Sequence, residues 1–173
     1  MRRHPHVFGA AEARTAGRVR ATWEAVKAEQ EGRVGIFHDV PEALPALLRA
    51  RKVQRRAAAV NFEYPDVAGA VGDLEDELAE LRAELERVGA DPAPETEPDP
   101  EVFGEVGDLL FAAVNVARKL NVDPELALRA ATGRFVARVE AGERLAAQDG
   151  RDFAKLPLDE QDRYFDQAKE ELR

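Results

Sequence analysis

Apolar residues recur at three- and four-residue steps through most of the chain, the period of helices that each bury one stripe. Val19, Trp23 and Val26 mark a first helix over about 11–31, with Gly32 as its stop. Residues 35–45 read as a connector. A second helix, over about 42–60, opens with Leu44, Leu47 and Leu48, and Asn61-Phe62-Glu63-Tyr64-Pro65 breaks it. Leu74, Leu78, Leu81 and Leu85 form the seam of a third helix over 66–88, ended by Gly89. The acidic, proline-rich stretch 91–100 reads as a non-helical link to a fourth helix, from about Pro100 to Leu120 with Asn121 as its C-cap. Asp123 caps a fifth, with Pro124 in its first turn and its seam at Leu128, Ala131, Phe135 and Val139, running to about residue 147. Gly133 and Gly142 within it make room for a close neighbour. After the Asp149-Gly150 turn, a last helix covers 157–172, with Asp159 as its cap and Tyr164, Phe165 and Ala168 on one side. Residues 1–10, with His4-Pro5-His6, read as a tail.

The helix after Pro100 organises the rest. Leu109, Val116, Ala113, Val106, Val102 and Leu120 form one broad stripe, and Leu110, Phe103 and Val114 widen it until most of the circumference is apolar. Such a helix belongs in a core. Glu105, Asp108 and Asn115 nevertheless share one narrow face, and carboxylates in a buried helix are costly unless a cation meets them.

Composition narrows the options. The chain has 173 residues, a net charge of −9 and no cysteine, so disulfides and thiolate chemistry are excluded. An acidic surface disfavours a nucleic acid polymer as partner. No apolar run reaches membrane-span length, and no secretory leader is evident, so a cytoplasmic location away from membranes is expected. Ala, Leu, Glu and Arg dominate over β-branched and aromatic residues, which favours an all-α fold of about six helices. The expected organisation is a tail, 1–10, and one helical domain, 11–173.

Two helices each carry an acidic pair at i, i+3: Glu77 with Glu80, and Glu105 with Asp108. Both pairs border a seam, so antiparallel packing brings four carboxylates together, where they repel. Ligands that are all oxygen point to a hard divalent cation, Mg²⁺ or Mn²⁺, and Mg²⁺ commonly binds substrate phosphates as well. Basic residues stand apart in this acidic chain. Arg49, Arg51, Lys52, Arg55 and Arg56 cluster on the second helix, and Arg134 and Arg138 lie beside the fifth seam. Each set reads either as a solvated face or as a phosphate-facing edge. For the second-helix cluster, spacing alone favours the solvated face.

At these residues the chain resembles the MazG family of nucleoside triphosphate pyrophosphohydrolases. The likeness rests on Asp76-Glu77-x-x-Glu80, on Glu105-x-x-Asp108, and on the run Leu109-Leu110-Phe111-Ala112-Ala113-Val114-Asn115-Val116-Ala117-Arg118. Flanking stretches around Leu44–Gln54, Asp123-Pro124 and Arg134-Phe135 are similar too. The resemblance implies a homodimeric all-α bundle and Mg²⁺-dependent conversion of (d)NTP to (d)NMP and pyrophosphate. It implies that Glu77, Glu80, Glu105 and Asp108 are metal ligands and catalytic residues. It assigns Lys52, Arg134 and Arg138 to the phosphates, places Phe165 near the nucleotide, and makes Asn115 a substrate contact. Asp76 and Gly104 replace acids common in the family, and Arg134 replaces a lysine. The start, Arg2 to Phe8, resembles the junction in two-half family members, so the expectation is a chain equivalent to the second half. Two alternatives stand beside this reading: a non-catalytic helical dimer that binds a nucleotide or a protein, and a narrower activity on dUTP or damaged nucleotides.

Overall fold

A computed structural model of the chain describes residues 35–89 and 96–173. They form α1 (Ala46–Ala59), α2 (Val67–Val88), α3 (Pro100–Lys119), α4 (Pro124–Gln148) and α5 (Leu158–Glu171), with a 3-10 turn at Phe153–Lys155 and no strand. The protein is all-α, as its sequence predicts. The expected helix over 11–31 and the tail with His4 and His6 lie outside the described residues. Contacts divide the chain into two compact units that meet in sequence between Val122 and Asp123.

Local chemistry sets the helix ends. Asp66 accepts from the Gly69 N–H at 2.9 Å, and Asp123 from that of Leu126 at 3.1 Å. Asp99 accepts from Glu101 and Val102 N–H, so Pro100 is the first residue of α3 rather than the last of the link. α1 begins at Ala46, four residues later than expected. Pro45 is its N-cap, and Leu44, which precedes a proline, is steered away from helical geometry. α3 ends at Lys119 with Leu120, not the expected Asn121, as its C-cap, and Asn121 follows in the left-handed region at φ 57°. Pro157, not Asp159, caps α5, and Asp159 sits in the first turn, where its charge suits the positive helix end.

In the first unit, α2 and α3 pack as an antiparallel pair. The end of α2 meets the start of α3 where Arg87 Nη2 donates to Asp99 at 2.7 Å and reaches Glu101 at 3.7 Å. Ala70, Ala112 and Val114 are buried. α1 packs on α3, with Gln54 Nε2 donating to the Phe111 carbonyl at 2.7 Å. Arg56 is buried against the carboxylate of Asp39 in the connector. The outer face of α3 differs from the expected full burial: Phe103 is 71% and Leu110 55% exposed, with Val106 and Phe111 also open.

In the second unit, α4 and α5 pack through Ala141, Ala146, Tyr164 and Ala168. Of the two glycines expected to admit a neighbour, only Gly142 does so. A Cβ there would meet the Phe153 ring at 3.3 Å and the α5 backbone at 3.5 Å, whereas Gly133 faces open space. Tyr164 donates to Asp149 at 2.9 Å, and Gln161 donates to the Phe153 carbonyl at 2.9 Å.

Candidate active site

The antiparallel pair brings the two acidic motifs together. Glu77, Glu80 and Glu105 each offer an oxygen, and these oxygens lie within 4.8 Å of one another. Glu77 and Glu80 come from one turn of α2, and Glu105 from the facing turn of α3. Asp108, one turn along α3, is exposed and outside this triad. Its charge still reaches both helices. Burial first, then the charges of Asp108, Glu80, Asp73 and Glu105, push the Glu77 carboxyl above its ordinary value. Burial, then Glu80, Asp108 and Glu84, do the same to Glu105. Glu105 Oε2 is sealed from water and has no hydrogen-bond partner. No Lys or Arg among the described residues pairs with the four carboxylates; the nearby Arg87 is committed to Glu84, Asp99 and Glu101.

These features fit a divalent cation. The donors are carboxylate oxygens, one of them an orphaned buried atom, and they come from helices rigid enough to hold a shell. Glu77, Glu80 and Glu105 would hold the ion, with Asp108 within electrostatic reach.

A cavity of about 820 Å³ adjoins the cluster, since Glu77 and Asp73 line it. Its walls are mostly apolar, with Phe37, Val53, Phe62 and Phe111, and its polar groups include Gln54, Asn115 and Arg118. Tyr64 OH donates to Asp73 at 2.6 Å on one side. Gln54, Glu63 and Arg118 are residues that sequence reasoning left without a role. Gln54 immediately precedes the arginines at the end of the basic cluster and closes one of the stretches that carry the family likeness.

The predicted phosphate and nucleoside residues are distributed over both units. Asn115 lies in the first, beside the cavity. Lys52 is engaged elsewhere: its ammonium donates to the Asp39 carbonyl and stands 3.9 Å from the Asp39 carboxylate. With Leu48, Arg51, Arg55 and Arg56 it lines a separate cavity of about 170 Å³. Arg134, Arg138 and Phe165 belong to the second unit, where the Phe165 ring stacks at a tilt on Phe135, 5.7 Å between centroids.

Fold and site together define an all-α protein whose antiparallel helix pair carries ExxE against ExxD. A Thermotoga maritima protein named nucleoside triphosphate pyrophosphohydrolase/pyrophosphatase MazG is 38% identical over 174 residues, 98% of this chain and 61% of that protein. An Escherichia coli K12 nucleoside triphosphate pyrophosphohydrolase is 35% identical over 171 residues, 97% of this chain and 62% of its own. Bacillus subtilis YabN, described as uncharacterized, is 33% identical over 175 residues, all of this chain and 34% of YabN. The chain is homologous to the MazG proteins over almost all its residues, and spans about three-fifths of the length of the first two relatives. No protein-family model matches it. No helix among the described residues is long and apolar enough to cross a membrane.

Proposed function

We propose that the chain is a divalent-metal-dependent nucleoside triphosphate pyrophosphohydrolase that cleaves (d)NTP with water to (d)NMP and pyrophosphate, clearing nucleotides from the cellular pool. The observation that carries this reading is the triad Glu77, Glu80 and Glu105, with an unpartnered buried oxygen on Glu105 and no Lys or Arg among the described residues paired with the three. A triphosphate would be repelled by this site alone, so the cluster makes chemical sense only with a cation between. Mg²⁺, or Mn²⁺ in its place, would supply charge neutralisation of the phosphates and a more acidic water. The chain's own part is to hold the phosphates in line and to accept a proton. One carboxylate of the cluster takes the proton of the attacking water in this reading.

The phosphate cations in this reading are Arg134, Arg138 and Lys52, with Phe165 near the nucleotide and Asn115 a substrate contact. The resemblance to the family supports these assignments. A homodimer is part of the same proposal, supported by the apolar residues that α3 leaves open. A panel of NTPs and dNTPs with Mg²⁺, scored for pyrophosphate against orthophosphate, tests the reading. Stepwise release of orthophosphate, or full activity in EDTA, overturns it.

A further inference from the structure

The large cavity holds two amides whose orientations the protein fixes. Asn115 Oδ1 accepts twice from Arg118, from Nε at 3.0 Å and Nη2 at 2.9 Å. The same guanidinium reaches Glu63 at 2.9 Å, and Lys119 holds Glu63 at 2.8 Å. With both acceptor positions of its oxygen taken, Asn115 has only its NH₂ left to offer and can only donate. Gln54 is the converse. Its Nε2 donates to the Phe111 carbonyl, an arrangement an oxygen could not adopt at 2.7 Å. Its Oε1 is buried without a partner, and the residue is only 6% exposed. A buried acceptor left unmet is costly, and such sites call for an explanation.

Spacing along α3 connects these amides to the carboxylates. Asn115 is seven residues beyond Asp108 and ten beyond Glu105, about 10 and 15 Å along the axis. Phosphates held at the carboxylates therefore leave the far end of an extended nucleotide near Asn115, and the cavity runs from Glu77 to Asn115 and Arg118.

We propose that this cavity takes the nucleoside, and that Asn115 and Gln54 read the Watson–Crick edge of its base. The proposal rests on the triphosphate reading above and says how that site holds the base. A fixed donor together with a fixed acceptor matches the one edge that carries both an acceptor and an N–H in every common base. Gln54 Oε1 is closed to solvent in the unliganded chain, so a base reaches it once a wall side chain turns aside; Phe62, 80% exposed, stands on that wall.

Uridine against cytidine, and inosine against adenosine, differ by exchange of donor and acceptor on this edge. The experiment titrates these four nucleosides, in EDTA, into the parent, Asn115→Asp and Gln54→Met proteins, followed by NMR. Asn115→Asp keeps one oxygen for Arg118 and turns the remaining donor into an acceptor. The affinity ratio within each pair is expected to move about tenfold toward the amino-bearing cytidine and adenosine. Gln54→Met keeps the volume, loses the acceptor, and is expected to weaken all four nucleosides several-fold. Unchanged ratios in Asn115→Asp, unchanged affinities in Gln54→Met, or a parent that binds none of the four overturn the proposal. Shifted ratios in a protein that hydrolyses no triphosphate would leave the pocket standing and remove the hydrolase reading instead.

Discussion

Glu80 and Glu105 face each other from α2 and α3 with no Lys or Arg among the described residues paired to either, and after burial the charge of Glu80 is the foremost influence raising the Glu105 carboxyl above its ordinary value. An ordinary helix face would place an arginine or lysine there. Arg87 is near enough in sequence, one turn past Glu84, yet it turns to the Asp99 end of the pair.

Neutralising one of these acids separates a metal site from a structural one. Glu105→Gln is expected to melt, in EDTA, at or above the temperature of the parent, because it removes a repelled charge. The same change is expected to abolish the stabilisation that Mg²⁺ gives by binding the native state. Asp108→Asn, at an exposed position outside the triad, is expected to leave the EDTA melt unchanged or raised and to cut turnover by about 10–100-fold. Thermal melts with and without Mg²⁺, with one activity assay, check both. A variant less stable in EDTA yet still stabilised by Mg²⁺ would remove its residue from the site.

The pH dependence has a definite sign. The folded-state values of Glu77 and Glu105 lie above the ordinary 4.5, so the folded protein holds these protons more tightly than the unfolded chain. Their contribution is favourable below the ordinary value and is lost as pH rises through the raised folded values. Asp39 and Glu63, whose values are lowered, act in the opposite sense. The difference between parent and Glu105→Gln melting temperatures in EDTA isolates the cluster. That difference is expected to favour the variant increasingly from about pH 4.5 upward. A difference flat with pH would mean that Glu105 is not repelled.

Arg134 is exposed and Arg138 half-buried on α4, so truncating either is expected to change stability little, within about 0.5 kcal/mol for Arg134. If they clamp phosphates, each loss of a charge-assisted contact is expected to raise KM about tenfold. Steady-state kinetics of Arg134→Ala and Arg138→Ala decide this, and unchanged KM and kcat in both would end the assignment.

The open apolar faces predict self-association. Phe103, Leu110 and Phe111 on α3, and Leu126, Leu128 and Phe135 on α4, are exposed in the single chain. Light scattering is expected to give a dimer at micromolar concentration. A fully active monomer would contradict it.

The two α4 glycines are expected to respond oppositely to alanine. Gly133→Ala, with open space around it, should gain about 0.5–1 kcal/mol from helix propensity. Gly142→Ala should lose about 1–3 kcal/mol, because the Phe153 ring and the α5 backbone leave no room for the methyl group. Denaturant unfolding of the two variants measures the contrast.

Features within reach of a few residues were legible in the sequence. Asp123 caps where its helix starts, and the leucine seam of α2 and the two acidic pairs were readable from spacing. Contacts that depend on register between elements were not. Spacing could pair Glu105 with Asp108 on α3, but which of them joins Glu77 and Glu80 depends on how far α2 slides along α3, and Glu105 is the one that does. Lys52 reads as one member of a basic cluster, and only the fold of the connector, thirteen residues earlier, turns it to Asp39. Gln54 and Arg118 acquire meaning through partners 57 and 55 residues away.

The clasp of Arg87 on Asp99 has a consequence for how such a chain can vary. It ties the last turn of α2 to the cap of α3, so the alignment of Glu77 and Glu80 with Glu105 is set at the hairpin's own ends rather than by the sequence joining them. Doubling the length of a connection costs only about 0.6 kcal/mol in closure entropy. Insertions between Gly89 and Asp99 should therefore leave the placement of the three glutamates intact, and that junction is a natural place to graft a reporter or a second domain without disturbing the carboxylate cluster a few turns away.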